Sequence, residues 1–161
     1  MCIRDRNKRD LPWRRTKDPY KIWVSEIILQ QTRIEQGEKY YYKFLKKYPN
    51  IISLANTSNN ELLKIWEGLG YYSRALNMLK TAVIVVDKYQ GIFPSTYNEL
   101  IILPGIGDYT ASAISSICKN EVQPVVDGNV LRFLSRLHKI DLAIDSAVSY
   151  THLTLPTSDL V

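Results

Sequence analysis

The groups in this chain best placed to do chemistry are two carboxylates, one phenol and a glycine-rich turn that opens a helix. Residues 103–113 read Leu-Pro-Gly-Ile-Gly-Asp-Tyr-Thr-Ala-Ser-Ala. Gly105 and Gly107 permit tight turn geometry and close backbone approach, and Leu103 and Ile106 are placed to pack the flanking helices together. Free N–H groups at the second helix's start, reinforced by its dipole, favour an anion such as a nucleic-acid phosphate. Contacts of that kind hold a duplex without reading its sequence. A Pro-Gly pair is also common punctuation between helices, but the full string is far more specific than a bare Gly-x-Gly. Fourteen residues after Ala113, Asp127 opens another helix in Val-Asp-Gly-Asn-Val.

Glu26 sits within Trp-Val-Ser-Glu-Ile-Ile-Leu, residues 23–29. Its neighbours at helical spacing are Ile22, Trp23, Leu29 and Gln30, and none is basic. A carboxylate there is desolvated, which raises its pKa and suits a general acid. A glutamate on the one solvated edge of the helix is an equal alternative on spacing alone. Asp127 is by default a helix N-cap, and the dipole at a helix start keeps a carboxylate ionised. One acid held protonated beside one held charged is, by analogy with glycoside hydrolysis, suited to cleaving an N-glycosidic bond through an oxocarbenium-like state.

Helices must position these groups. Asp18 is a plausible N-cap and Pro19 a first-turn residue for a helix over 19–31 that is apolar nearly all round and therefore buried. Helices follow at 34–47, stopped by Pro49, at 51–55, and at 59–67 with Gly68 at its end. The cleanest amphipathic stretch is 73–89, and further helices lie at 97–102, 108–119 and 128–138. Residues 122–126 could be extended, but they are few and contain Pro124.

The chain has 161 residues, 45% of them hydrophobic, and a formal charge of +5, with a pI near 9.1. This is a globular composition with room for one sizeable core, and its modest basic excess suits a polyanion without requiring one. No apolar run approaches the ~18 residues that span a membrane, and no secretory signal is visible. Two cysteines, Cys2 and Cys118, make neither a disulfide framework nor a metal-ligand spacing. A reducing cytosol is the simplest setting, with Cys118 a small buried residue. Residues 1–6 and 148–161 resemble translated sequencing-adapter sequence and are expected to be non-native ends around a helical domain at 7–147.

Leu-Pro-Trp (11–13), Pro-Tyr-Lys-Ile-Trp-Val-Ser-Glu-Ile-Ile-Leu-Gln-Gln-Thr (19–32), Trp-Glu-Gly-Leu-Gly-Tyr-Tyr-Ser-Arg-Ala (66–75), the turn at 103–113 and Val-Asp-Gly-Asn-Val (126–130) together resemble the adenine DNA glycosylase (MutY) family of the helix-hairpin-helix, Gly/Pro-Asp superfamily. The match covers nearly all of residues 10–140 in family order. It implies an all-α fold: a six-helix barrel domain with a helix-hairpin-helix motif, cut before the iron–sulfur loop. The implied activity is hydrolytic removal of adenine mispaired with guanine or 8-oxoguanine. The implied partner is double-stranded DNA carrying that adenine, met by a monomer in the cytoplasm at the bacterial nucleoid, with no membrane involved.

By the same resemblance Glu26 protonates the leaving adenine, Asp127 stabilises or covalently traps the cationic sugar, and Asn129 supports the acidic site. Gln31, Thr32 and Tyr71 match positions that wedge into the duplex and contact the opposite base. Leu11, Trp13 and Ile34 match the lining of the adenine pocket. Tyr109 stands where the related endonuclease III branch has a lysine whose amine attacks the sugar. A phenol forms no Schiff base, so Tyr109 argues for base removal without strand cleavage, unless it simply packs on the hairpin. Read without the family, Trp13, Tyr71 and Tyr72 would more often be core aromatics, and Tyr40, Tyr41 and Tyr42 carry no assigned function. Arg14, Arg15, Arg74 and Lys80 are candidate phosphate contacts whose default is solvated surface charge.

The family also carries a four-cysteine iron–sulfur loop and a C-terminal domain that helps recognise 8-oxoguanine. Neither is found in these 161 residues. The expectation is a reading frame cut near Ala147, a [4Fe–4S] cluster in the full-length parent, and no ligands for it here. Two alternatives remain: a thymine or uracil mismatch glycosylase of the same superfamily, and a non-catalytic helix-hairpin-helix DNA-binding module.

Overall fold

The computed structural model describes residues 9–126, 128–137 and 139. It divides into two units, Met1–Glu121 and Val122–Val161, and all its regular elements among the described residues are helices. In the first unit a single 3-10 turn, Pro12–Arg14, precedes α1 (Pro19–Leu29), α2 (Ile34–Lys47), α3 (Ile51–Ala55), α4 (Asn59–Trp66), α5 (Ser73–Tyr89), α6 (Tyr97–Leu100) and α7 (Asp108–Lys119). The second unit contains α8 (Gly128–Leu137), where Arg132 Nε donates back to the Gly128 carbonyl at 2.9 Å. Residues 1–6 and 148–161 lie outside the described residues.

The helix starts follow their caps. Asp18 accepts from the Tyr20 N–H at 3.0 Å, with Pro19 supplying the preset φ of a first turn. Asn50 and Ser53 form a reciprocal capping box on α3, and Ser58 caps α4 through the Glu61 N–H. Burial then fixes the arrangement. Ile22, Trp23, Val24, Ser25, Ile27 and Ile28 of α1 are all buried, so α1 is the central helix, packed against α2, α7 and the 3-10 turn. α5 packs against α3 and α4. Aromatic rings fill the space between layers: Trp23 lies 4.9 Å from Phe93, and Phe44 meets Tyr48 at 5.1 Å and Trp66 at 6.1 Å.

Some boundaries differ from the periodic pattern. α1 stops at Leu29 rather than at 31, because Gln30 is extended and Gln31 is left-handed at φ 59°. Both belong to a turn closed by the Thr32 N–H on the Leu29 carbonyl at 3.2 Å. α4 and α6 also end one and two residues early, within ordinary fraying; residue 138, the expected end of α8, lies outside the described residues. Residues 121–126 form no strand.

Leu54 is wholly buried on α3, the helix that α5 packs against. Leu54→Ala should cost the full-length protein about 2–5 kcal/mol, read from its urea midpoint. Ile52→Ala on the same helix, where the side chain is 49% exposed, should cost at most about 1 kcal/mol.

Candidate functional site

The hairpin is built on α5. Its turn joins α6 to α7 through residues 101–107 and is closed by the Leu103 N–H on Leu100 and the Ile106 N–H on Leu103, at 3.0 and 3.1 Å. Leu103 and Ile106 are buried in the main core as expected. Buried Thr81 on α5 donates to the Pro104 carbonyl at 2.8 Å. The two glycines differ in what they do. Gly105 has φ +76°, and a Cβ there would meet Asn77 Cβ at 2.8 Å, so no side chain fits. Gly107 is extended and faces open space. It is the N-cap of α7 and offers no side chain to cover the first N–H groups. The tight-turn role thus falls to Gly105 alone, and Gly107 leaves an uncapped, accessible helix start suited to an anion.

Glu26 is half-buried on α1, and burial pushes its carboxyl pKa up from the ordinary 4.5. Among the described residues no ion pair or hydrogen bond engages it. The charged form is therefore disfavoured and the group is poised as an acid.

Gln31 and Tyr71 both stand out from the surface. Gln31 is exposed, and Tyr71 is 65% exposed with φ 45°. Tyr72 is 46% exposed, so neither tyrosine is the core aromatic that composition alone suggests. Thr32 is half-buried, its hydroxyl 3.4 Å from the Gln30 carbonyl. Arg74, read from sequence as solvated charge, is a structural group instead. Its Nη1 donates to the carbonyls of Ile27 at 2.9 Å and Gln30 at 2.5 Å. Its Nη2 donates to Leu69 at 3.3 Å and Gly70 at 3.4 Å. Burial lowers the guanidinium's pKa. The other basic candidates are surface groups. Arg15 pairs with Asp10, Arg14 donates to the Arg9 carbonyl at 3.2 Å, and Lys80 is exposed.

A cavity of about 160 Å³ lies beneath these loops, lined by Trp23, Ile27, Gln30, Arg74, Asn77, Met78, Pro104 and Gly105. Trp23 Nε1 and Arg74 Nε are buried with no hydrogen-bond partner among the described residues. Leu11, Trp13 and Ile34 do not line this cavity. Leu11 is buried, Trp13 stands edge-on to Tyr41 at 5.4 Å, and Ile34 is half-buried at the start of α2. Tyr109 follows Asp108 in the first turn of α7 and is 41% exposed. Asp127 lies outside the described residues, and Asn129 belongs to α8 in the second unit. Trp23 and Asn77 carried no site role in the sequence reading, and Arg74 was there a candidate phosphate contact rather than a bridge between loops. Its place beside the Gly-Leu-Gly-Tyr-Tyr loop is the one sequence signal for that bridging role.

Among the described residues no group of three or more His, Cys, Asp or Glu side chains is placed to hold a metal ion. A four-iron cluster takes four cysteine thiolates, and this chain has two cysteines, so its residues do not fit that group. Cys118 is half-buried, its thiol pushed up to about 11 mainly by burial. No described helix is long and apolar enough to cross a membrane.

Residues 24–153 match the family described as HhH-GPD superfamily base excision DNA repair protein. The chain is 47% identical over 135 residues to an adenine DNA glycosylase of Buchnera aphidicola subsp. Baizongia pistaciae, covering 84% of this chain and 38% of that protein. It is 43% identical over 145 residues to the adenine DNA glycosylase of Homo sapiens, covering 84% and 27% respectively. Among solved structures it resembles a thermostable thymine-DNA glycosylase, with TM-score 0.76, 32% identity and coverage of 81% of this chain and 61% of that one. A trapped endonuclease III–DNA covalent intermediate gives TM-score 0.76 at 25% identity, covering 86% and 67%.

The raised Glu26 pKa has a measurable consequence. The folded chain holds this proton more tightly than the unfolded chain. As pH rises from the ordinary 4.5 through the raised folded value, the unfolded state ionises first and folding stability falls. Glu26→Gln removes that loss. The stability of the full-length variant relative to the parent should therefore climb with pH across this window and level off above the folded pKa. Urea midpoints from about pH 4 to about pH 8 read it; parallel curves for the two proteins would mean an ordinary carboxyl.

Proposed function

This chain belongs to the HhH-GPD superfamily of base excision DNA repair proteins, and on that premise we propose that the protein carrying it is an adenine DNA glycosylase. It hydrolyses the N-glycosidic bond of adenine mispaired with guanine or 8-oxoguanine in double-stranded DNA. The observation that carries this reading is Glu26: a half-buried carboxyl with a raised pKa on the central helix, with no ion pair or hydrogen bond among the described residues. A purine leaves far more easily once its ring is protonated, and a carboxyl whose pKa burial raises above the ordinary 4.5 is a donor for that. The adenine glycosylase names of the relatives support the same substrate. The chain spans 38% of the length of the Buchnera relatives, so the assignment is made for the full-length protein.

In this reading the α7 start holds a phosphate, and Gln31, Thr32 and Tyr71 press into the duplex as the adenine leaves the stack. Glu26 gives its proton to the base. The bond from C1′ to the base breaks with its electron pair going to adenine, and the positive charge left on the sugar is met by Asp127, with Asn129 in support. Water adds to C1′ and releases a proton, which restores the acid. Leu11, Trp13 and Ile34 are assigned to the base pocket through the resemblance. Tyr109 offers no amine, so the sugar–phosphate chain stays intact. The [4Fe–4S] cluster is assigned to parts of the full-length protein outside these residues, and no step here runs through it.

Thymine or uracil mismatch removal is the second reading, favoured by the likeness to the thymine-DNA glycosylase structure. A panel of duplexes with A, T or U opposite G or 8-oxoguanine decides between the two. The full-length protein should release adenine, and release of thymine or uracil in its place sinks the assignment. Glu26→Gln should lower adenine release by about 10²–10⁴-fold while duplex binding persists. Release by the parent should also decline as pH rises past the Glu26 pKa. A separate experiment addresses the phenol: borohydride should trap no covalent DNA adduct with the parent protein, and should trap one with Tyr109→Lys.

A further inference from the structure

Two turns near the candidate interface share one geometry. In residues 66–69 the Leu69 N–H closes on the Trp66 carbonyl at 3.1 Å, Glu67 is extended, and Gly68 is left-handed at φ +93°. In residues 29–32 the Thr32 N–H closes on Leu29, Gln30 is extended, and the left-handed position is held by Gln31 at φ 59°. Such type II turns call for glycine at that position. Glutamine there is strained, as is Tyr71 at φ 45° just after Gly70. The other left-handed side chains of the first unit, Gln90 and Asn120, are ordinary helix C-caps. Gln31 and Tyr71 are thus exposed residues kept in costly conformations on two separate loops.

One group joins those loops. The Arg74 guanidinium donates to Ile27 and Gln30 on one side and to Leu69 and Gly70 on the other. It also lies 5.6 Å from the Tyr71 ring centroid and 5.4 Å from that of Trp66. No carboxylate pairs with it among the described residues. We propose that Arg74 is a positioning residue whose planar fork sets the outward projection of Gln31 and Tyr71 together, and so governs extrusion of a base from the duplex. The inference rests on the base-excision reading for what the two loops do. A lysine keeps the charge but, as a single point donor, cannot bridge both loops.

The test uses the full-length protein in a Glu26→Gln background, so that no excision is needed. The readout is the rise in 2-aminopurine fluorescence when a duplex carrying that base at the target position is bound. Arg74→Lys should reduce the extrusion equilibrium roughly tenfold or more while the protein still melts cooperatively. Arg74→Gln, which drops the charge and keeps a donor, is the second variant, with the same expectation should the lysine variant not fold. Because Arg74 acts through Gln31 and Tyr71, adding either change to a variant carrying both Gln31→Ala and Tyr71→Ala should lower extrusion by less than about twofold further. Equal extrusion with and without Arg74, or losses that multiply, would overturn the positioning role and leave the glycosylase reading standing. No fluorescence rise even with Arg74 intact would overturn both.

Discussion

Arg74 carries a positive charge into a half-buried position where no carboxylate of the described residues pairs with it, and four backbone carbonyls answer that charge instead. Two of them, from Ile27 and Gln30, lie at the end of α1, the negative pole of that helix's dipole. The other two belong to the loop after α4. That loop is held elsewhere by side chains as well: Tyr40 donates to the Glu67 carbonyl, Gln36 to Gly68 and the Trp66 indole to Gly70. Every carbonyl from 67 to 70 therefore has a side-chain donor. A loop tied this way has few conformations left to it. The end of α1, the left-handed Gln31 and the exposure of Tyr71 all follow from the same set of bonds.

The same arrangement bears on Glu26. It precedes Ile27, whose carbonyl accepts from Arg74, yet no ion pair joins the two side chains. A cation paired with the Glu26 carboxyl would lower its pKa and ruin it as an acid. The two Arg74 Nη atoms are spent instead on four backbone carbonyls, and burial alone raises the Glu26 pKa.

Much of the architecture was legible because local signals and burial agree. The apolar circumference of 19–29 marks a central helix, Asp18 and Pro19 mark its start, and the Leu-Pro-Gly-Ile-Gly string marks the hairpin. What could not be read depends on partners distant in sequence. α1 ends where it does because of an arginine 44 positions beyond Gln30, and nothing in the periodicity of 19–31 reports that. Arg74 looked like solvated charge for the same reason, since its acceptors are backbone atoms that any sequence supplies. Tyr71 and Tyr72 run against the tendency of aromatics to be buried, because the fixed loop turns them outward. Of the two hairpin glycines, Gly105 is demanded by its φ and by Asn77 beneath it, whereas Gly107 is defined by the space it leaves, which no local rule separates from turn chemistry.

Unstacking a base costs a few kcal/mol, and a left-handed non-glycine residue stores about 1–3 kcal/mol. These magnitudes are comparable, so it matters when each is met. If Gln31 and Tyr71 adopted their projecting conformations only on contact with a duplex, that strain would subtract from binding at the moment the base must be displaced. Here the strain is already present in the free protein, balanced during folding by hydrogen bonds to one guanidinium and by its stacking on two rings. The interface is thereby preorganised, and the binding free energy is left to act on the nucleic acid rather than on the protein's own loops.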